Sequence, residues 1–234
     1  MSDADDRCLL VFAKCPQRGA VKTRLASEVG EAAALRLHTS FLRDTLVVAR
    51  STGVPLVVYV HPADAVEQAR SLLGSDVCCA GQPYDDLGAN MKCGFERAFA
   101  DGFQRAVCIG SDLPDLRTDV LLRALESLKS HEAVVGPSGD GGYYLIGFSR
   151  DGFLPEAFDG MHWGGNSVYR QTMDALVWHE RSVAEVPVWD DVDTSADLKA
   201  LIDRNRGNVS CMRETRACVE QLSREMDILS EGTP

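Results

Sequence analysis

The sequence contains no run of about 18 consecutive apolar residues, the length a membrane-crossing helix requires. Its opening stretch, Met1-Ser-Asp-Ala-Asp-Asp6, is acidic where a secretory leader would be basic, so a cytoplasmic protein is expected. Positive charge is scarce. Against 35 Asp and Glu there are 24 Lys and Arg, a formal net charge of -11, which leaves no broad basic face for nucleic acid or an anionic membrane. Eight cysteines form no C-x-x-C pair, and Cys108 lies inside an apolar run, so reduced thiols are expected and zinc-ligand spacing is lacking. A Walker A loop is missing too, because Val21 stands where that motif needs a glycine before Lys22. No histidine is tied to a nucleophile by a recognisable elbow, which removes Ser-His-Asp and Cys-His chemistry and leaves His38 and His61 as surface or packing residues.

What the chain does have is a core. Apolar residues make up 45% of it, and 234 residues without repeat, low-complexity tract or linker predict a single domain over 1–234. Strands are expected at Leu9–Phe12, Leu56–Val60, Val77–Ala80, Ala106–Ile109 and Ala133–Val135, runs too continuous for a sheet buried on one side only. Leu35, Leu42, Leu46 and Ala49 form one helical stripe, ended by Thr52-Gly53. This βαβα alternation predicts a mostly parallel twisted sheet with helices on both faces, a three-layer α/β/α fold that binds ligands at the carboxyl ends of its strands. Further on, Tyr143–Phe148 and Val183–Trp189 read as strands, 149–165 as loop-rich and Val168–Trp178 as a helix. Thr194-Ser-Ala-Asp197 has the form of a capping box, Cys211–Leu229 of a final helix, and a mobile tail is expected from about Ser230. Residues 9–136 are read as a nucleotide-binding half, 137–198 as an acceptor side and 199–234 as C-terminal helices and tail.

In so acidic a chain a phosphate must be held by a local concentration of cations and backbone N–H groups. The segment from Lys14 to Arg24 offers one, with Lys14 at a strand end, a turn at Gly19, then Lys22 and Arg24, and no acid until Glu28. The alternative is a solvated basic loop. Asp112, in Ile109-Gly-Ser-Asp112-Leu-Pro114, follows a buried strand and is the first candidate metal ligand. Asp193, in Asp190-Asp-Val-Asp193-Thr194, is the second, since magnesium favours one or two carboxylates beside substrate phosphates. For Asp193 the competing role is helix capping, which Thr194 can already fill. Asp140, with Gly141, Gly142 and Tyr143, lies in a loop that brings backbone close to a ligand or simply turns the chain. Asp86 and Gly88 join a strand to a helix, where Asp86 either reaches a nucleotide or caps. Trp163 offers an aromatic to stack on a substrate.

These motifs together resemble the GT-A nucleotide-diphospho-sugar transferase superfamily. More narrowly they are similar to a bacterial group of glycosyltransferase-type proteins associated with radical-SAM/selenodomain proteins, formerly a domain of unknown function. The resemblance spans roughly Leu9 to Leu198 and rests on Phe12-Ala-Lys14, Val21-Lys-Thr-Arg-Leu25, Leu37-His38, Asp86-Leu-Gly88, Gly110-Ser-Asp112-Leu-Pro114, Asp140-Gly-Gly-Tyr143 and Asp191-Val-Asp193-Thr194. Arg18, Asn90 and Gly164-Gly165 depart from its usual proline, arginine and Ser-Thr.

The resemblance implies a nucleotide held by Ala13, Lys14, Gly19, Lys22, Arg24, Asp86 and Gly88, with a Mg²⁺ or Mn²⁺ ion between Asp112 and Asp193. Gly141, Gly142, Tyr143 and Trp163 would meet a small-molecule acceptor, and Lys22, Asp112 and Asp140 would serve the chemistry. Expected is sugar transfer from a nucleoside-diphosphate sugar. Nucleotidyl transfer from a triphosphate and a nucleotide-binding module without turnover are the alternatives, and a homodimer is compatible with any of them.

Overall fold

The computed structural model describes residues 6–74, 77–208 and 211–231. By its internal contacts the chain forms two compact units, each assembled from separate stretches. The first comprises the chain up to Cys15, Val48–Gly110 and Leu116–Asp190; the second comprises Pro16–Val47, Ser111–Asp115 and the chain from Asp191 onward.

The first unit is built on a seven-stranded sheet. Its strands are β1 (Arg7–Lys14), β2 (Leu56–His61), β3 (Cys78–Gly81), β4 (Arg105–Ile109), β5 (Ala133–Pro137), β6 (Tyr143–Ser149) and β7 (Val183–Glu185), in the order β3-β2-β1-β4-β6-β5-β7. All neighbours run parallel except β6, which is antiparallel to both β4 and β5. The expected α/β fold with a mostly parallel sheet is therefore present. Both pleat faces are buried, as the unbroken apolar runs predict. Cys8, Leu10 and Phe12 join one core cluster, while Leu9 and Val11 on the opposite face of the same strand are equally buried.

That cluster is closed by α4 (Leu87–Ala100) and α6 (Val168–Trp178). Its centre is the fully buried Phe95, edge-on to Phe148 at 5.2 Å between ring centroids, with Phe153 at 5.6 Å and Phe158 at 5.9 Å. α3 (Val66–Leu73) lies against β3, and α5 (Thr118–Ser127) against β4 and β5. A short 3₁₀ turn at Pro155–Phe158 interrupts the loop-rich stretch expected there.

The expected strand Val183–Trp189 is shorter than its apolar pattern suggests. β7 ends at Glu185, because β5 shifts register between Gly136 and Pro137 and Pro137 has no N–H to donate to the neighbouring strand. Single bonds from Val186 N to Val135 O (3.0 Å) and from Trp189 N to Pro137 O (3.1 Å) hold the rest in place.

The second unit is helical. α1 (Thr23–Val29), α7 (Ser195–Arg204), α8 (Arg213–Glu231) and most of α2 (Glu31–Arg50) enclose Leu25, Leu37, Phe41, Val192, Leu201 and Met212. Of the expected α2 stripe, Leu42, Leu46 and Ala49 are buried, together with Ala34, Leu37 and Phe41, while Leu35 lies at its margin. Asp44 on α2 accepts from Glu214 N (3.1 Å) and Thr215 N (2.8 Å), satisfying the first turn of α8 from another element. The capping box is present as read: Thr194 caps α7 and Asp197 returns a bond to Thr194 N. Ser230 and Glu231, read as the start of a tail, belong to α8, and the rest of that tail lies outside the described residues. Among the described residues no helix is long and apolar enough to cross a membrane.

Candidate functional site

Lys22 occupies the left-handed region (φ 48°, ψ 48°) at the residue before α1, a conformation a side-chain-bearing residue adopts at a cost of about 1 kcal/mol or more. The turn that leads there uses Gly19 at φ 77°. The result is an inward-directed ammonium. Lys22 Nζ lies 2.9 Å from Asp112 Oδ2 and 2.6 Å from Asp193 Oδ1, and its side chain is only 4% exposed. Arg24 Nη1 stands 3.9 Å from Asp193 Oδ2 with its guanidinium largely in solvent. All four residues belong to the second unit.

Each carboxylate is positioned by its own segment. Ser111–Asp115 is fixed at both ends: Thr45 Oγ1 donates to Ser111 O (3.1 Å), and the buried Asp115 accepts a bidentate pair from Arg204 (2.7 and 2.9 Å). Asp193 is held by its backbone, whose N–H donates to Asp197 Oδ2 at 3.1 Å. Thr194 provides the cap of α7, and the Asp193 carboxylate pairs with Lys22 and not with the helix.

Burial by itself disfavours the charged form of Lys22, but the attraction of Asp112 and Asp193 outweighs it and raises the ammonium pKa. Burial alone would likewise raise the Asp112 carboxyl. Lys22 and His38 overcome that and hold it well below the usual carboxylate range. His38 is the residue that sequence reasoning missed. Read as a surface or packing residue, it is buried on α2 with Nδ1 3.2 Å from Asp112 Oδ1; the Leu37-His38 motif of the resemblance is the one signal that singles it out.

Arg18 is paired with Glu31 (3.2 Å) on the surface, and Lys14 ends β1 in the first unit, exposed, next to the buried Ala13.

The other expected site residues also lie in the first unit. Asp86 caps α4, accepting from Ala89 N at 2.7 Å. Gly88, one residue into that helix, is packed so tightly that a Cβ there would come within 2.7 Å of Trp163 Cζ2 and 2.8 Å of Phe158 O. Trp163 is thereby pressed edge-first onto α4 and stands perpendicular to Tyr143, its buried Nε1 without a hydrogen-bond partner among the described residues. Asp140 Oδ1 accepts from Ser138 Oγ and from Gly142 N (2.9 Å), so one of its oxygens closes the glycine turn. Gly141 has φ 89°, and a Cβ on it would lie 2.1 Å from Asn166 O, so the loop tolerates no side chain there.

As a donor set for a divalent cation, the Asp112–Asp193 pair fits. Two hard carboxylate oxygens already converge on one cation, and an ion such as Mg²⁺ takes one or two carboxylates with phosphate oxygens and water for the remainder. Among the described residues no three His, Cys, Asp or Glu side chains gather as a metal-binding group, so the pair alone would leave most of the shell to a ligand. All eight cysteines are free, and burial pushes the Cys8 thiol up to about 12.

Residues 45–165 match the sequence family described as "uncharacterized protein conserved in bacteria" (DUF2064). No curated protein matches the chain. Among solved structures, a protein of Desulfovibrio desulfuricans G20, provisionally named a nucleotide-diphospho-sugar transferase, is 37% identical, with 93% of this chain and 98% of that one covered and a TM-score of 0.86. More distant folds include the inositol-1-phosphate CTP transferase of T. maritima (14% identity, 90% and 100% covered, TM-score 0.53). Another is Rv0371C of Mycobacterium tuberculosis H37Rv in complex with manganese (21%, 85% and 98%, 0.50).

Proposed function

Since the chain belongs to the bacterial DUF2064 family, with the fold of nucleotidyl and nucleotide-sugar transferases, we propose that it transfers a sugar from a nucleoside-diphosphate sugar to a small-molecule acceptor in the cytoplasm. We place it further among the transferases associated with radical-SAM/selenodomain proteins, on the motifs quoted above. The observation that carries the reading is the convergence of Asp112 and Asp193 on one buried cation beside Arg24.

In this reading Asp112 and Asp193 hold a Mg²⁺ or Mn²⁺ ion, which when bound supplies charge neutralisation at the diphosphate. The manganese in the Rv0371C complex supports a divalent ion in general. Lys22 and Arg24 neutralise the phosphate oxygens, on which charge accumulates as the bond to the leaving group breaks. Lys14, Ala13, Gly19, Asp86 and Gly88 complete nucleotide binding. Gly141, Gly142, Tyr143 and Trp163 are assigned to the acceptor. Asp140 holds the glycine turn with Oδ1 and takes the acceptor proton where the acceptor is a hydroxyl. Most of the acceleration beyond charge neutralisation would come from alignment of donor and acceptor.

Nucleotidyl transfer from a triphosphate is the second reading, raised by the likeness to the T. maritima CTP transferase fold. One experiment addresses both. Nucleoside triphosphates and nucleoside-diphosphate sugars are screened by thermal shift with and without Mg²⁺, and the ligands that bind are followed for nucleoside diphosphate or pyrophosphate release. Metal-dependent stabilisation with diphosphate release supports sugar transfer, and pyrophosphate release selects the second reading. Stabilisation with neither product across a broad acceptor panel would reduce the protein to a nucleotide-binding module.

A further inference from the structure

In the described conformation the position between the two candidate metal carboxylates belongs to Lys22. Its Nζ sits 2.9 Å from Asp112 Oδ2 and 2.6 Å from Asp193 Oδ1, almost wholly shielded from solvent. The backbone holds it there through a left-handed conformation at Lys22 itself, with no side-chain cap compensating at the start of α1. A divalent ion bound to the same two oxygens would stand within a few ångströms of the ammonium, and two cations cannot share that space without a strong repulsive penalty. Lys22 must therefore leave before a metal ion can take both carboxylates. A phosphate is the ligand that can draw it out, because it offers the ammonium anionic oxygens in exchange. Arg24, exposed and only 3.9 Å from Asp193, is free to move with it.

We infer that Lys22 is a tethered counter-ion: it closes the Asp112–Asp193 pair to divalent cations until a phosphate-bearing ligand draws it away. The inference rests on the metal reading of that pair. It goes further in stating that metal binding and diphosphate binding are coupled through one side chain, and that the free protein takes up metal poorly by construction. By linkage, whatever tightens metal binding when the phosphate arrives must tighten phosphate binding by the same factor when the metal is present.

The test measures Mn²⁺ binding to the nucleotide-free full-length chain, from the electron-spin-resonance signal of the free ion, for the wild type, Lys22→Met, Lys22→Gln and Asp112→Asn. Both Lys22 variants are expected to bind Mn²⁺ at least about tenfold more tightly than the wild type. A second measurement uses the wild type alone, in case the variants fold poorly. The rate at which an amine-reactive reagent modifies Lys22, read by peptide mass, should rise severalfold when Mn²⁺ saturates the protein. If the Lys22 variants bind Mn²⁺ no better than the wild type while Asp112→Asn abolishes binding, the counter-ion inference is overturned and the metal reading stands. An unchanged labelling rate in Mn²⁺-saturated protein overturns it equally. If no form binds Mn²⁺ at millimolar concentration, both fall together.

Discussion

Replacing Asp112 by asparagine should weaken the wild-type protein yet strengthen one that already lacks the Lys22 charge. At 2.9 Å and an effective permittivity of about 20, the Asp112–Lys22 attraction is gross about 6 kcal/mol. Most of that is offset by taking the ammonium out of water, and Asp193 still neutralises it at 2.6 Å when Asp112 is gone. The expected net loss for Asp112→Asn is therefore about 2 kcal/mol. In a Lys22→Met background the two carboxylate oxygens remain no farther apart than the sum of their distances to Nζ, 5.5 Å. At that separation, and the same permittivity, two like charges repel by about 3 kcal/mol, and by more if they stand closer. Neutralising Asp112 then relieves repulsion, and Asp112→Asn should stabilise by about 1–2 kcal/mol. Urea denaturation of the four proteins of this cycle at neutral pH, without metal, gives the coupling energy directly. A loss of stability of similar size in both backgrounds would refute the claim that Lys22 is what holds these two acids together.

Acid should erase the same contribution. Burial is outweighed at Asp112 by Lys22 and His38, so its pKa is depressed on folding; the stability it supplies is complete above the ordinary carboxylate pKa of about 4 and is lost as pH falls through the depressed value. The urea midpoint of the wild type should therefore fall more steeply below that pH than the midpoint of Asp112→Asn, and parallel curves would count against the assignment. Phe95→Ala should cost about 3–5 kcal/mol in urea, since it empties the centre of four aromatic contacts, and a loss under 1 kcal/mol would mean that the cluster is loosely packed. Gly141→Ala combines a positive φ with a Cβ 2.1 Å from Asn166 O. It should cost about 2 kcal/mol or more and, in the proposed transferase, reduce acceptor-dependent turnover while nucleotide affinity is kept; unchanged turnover would remove the loop from the acceptor assignment.

Much of the architecture is legible from local pattern. The strands of the sheet are unbroken apolar runs because both faces are covered, and that property survives in the sequence alone. β7 is the exception, where the pairing stops opposite Pro137 of β5, inside a run that still looks like a strand. The capping box at Thr194 could be read because its partners are three residues apart. The cation site is another matter. Asp112, Asp193 and Lys22 can each be picked out singly, Lys22 as a phosphate ligand, but the direct burial of Lys22 between the two acids is not read from the sequence. Nothing local encodes a pairing across 171 positions, nor the left-handed backbone that aims the side chain inward. The partner of His38 cannot be read for the same reason, since it lies on a distant segment.

Neither compact unit is a contiguous stretch of the chain, and this bears on how the protein can be made. The five residues Ser111–Asp115 belong with segments synthesised both long before and long after them. A nascent chain on the ribosome has Lys22 in hand early, but cannot enclose it until residue 193 has cleared the exit tunnel. Until then the sheet can assemble from its neighbouring βα units while the helical unit waits for its final stretch, more than half of its residues. Fragments ending before Asp193 should accumulate as chains with a formed sheet and an open, protease-sensitive remainder, and no cut at a single point can release either unit whole.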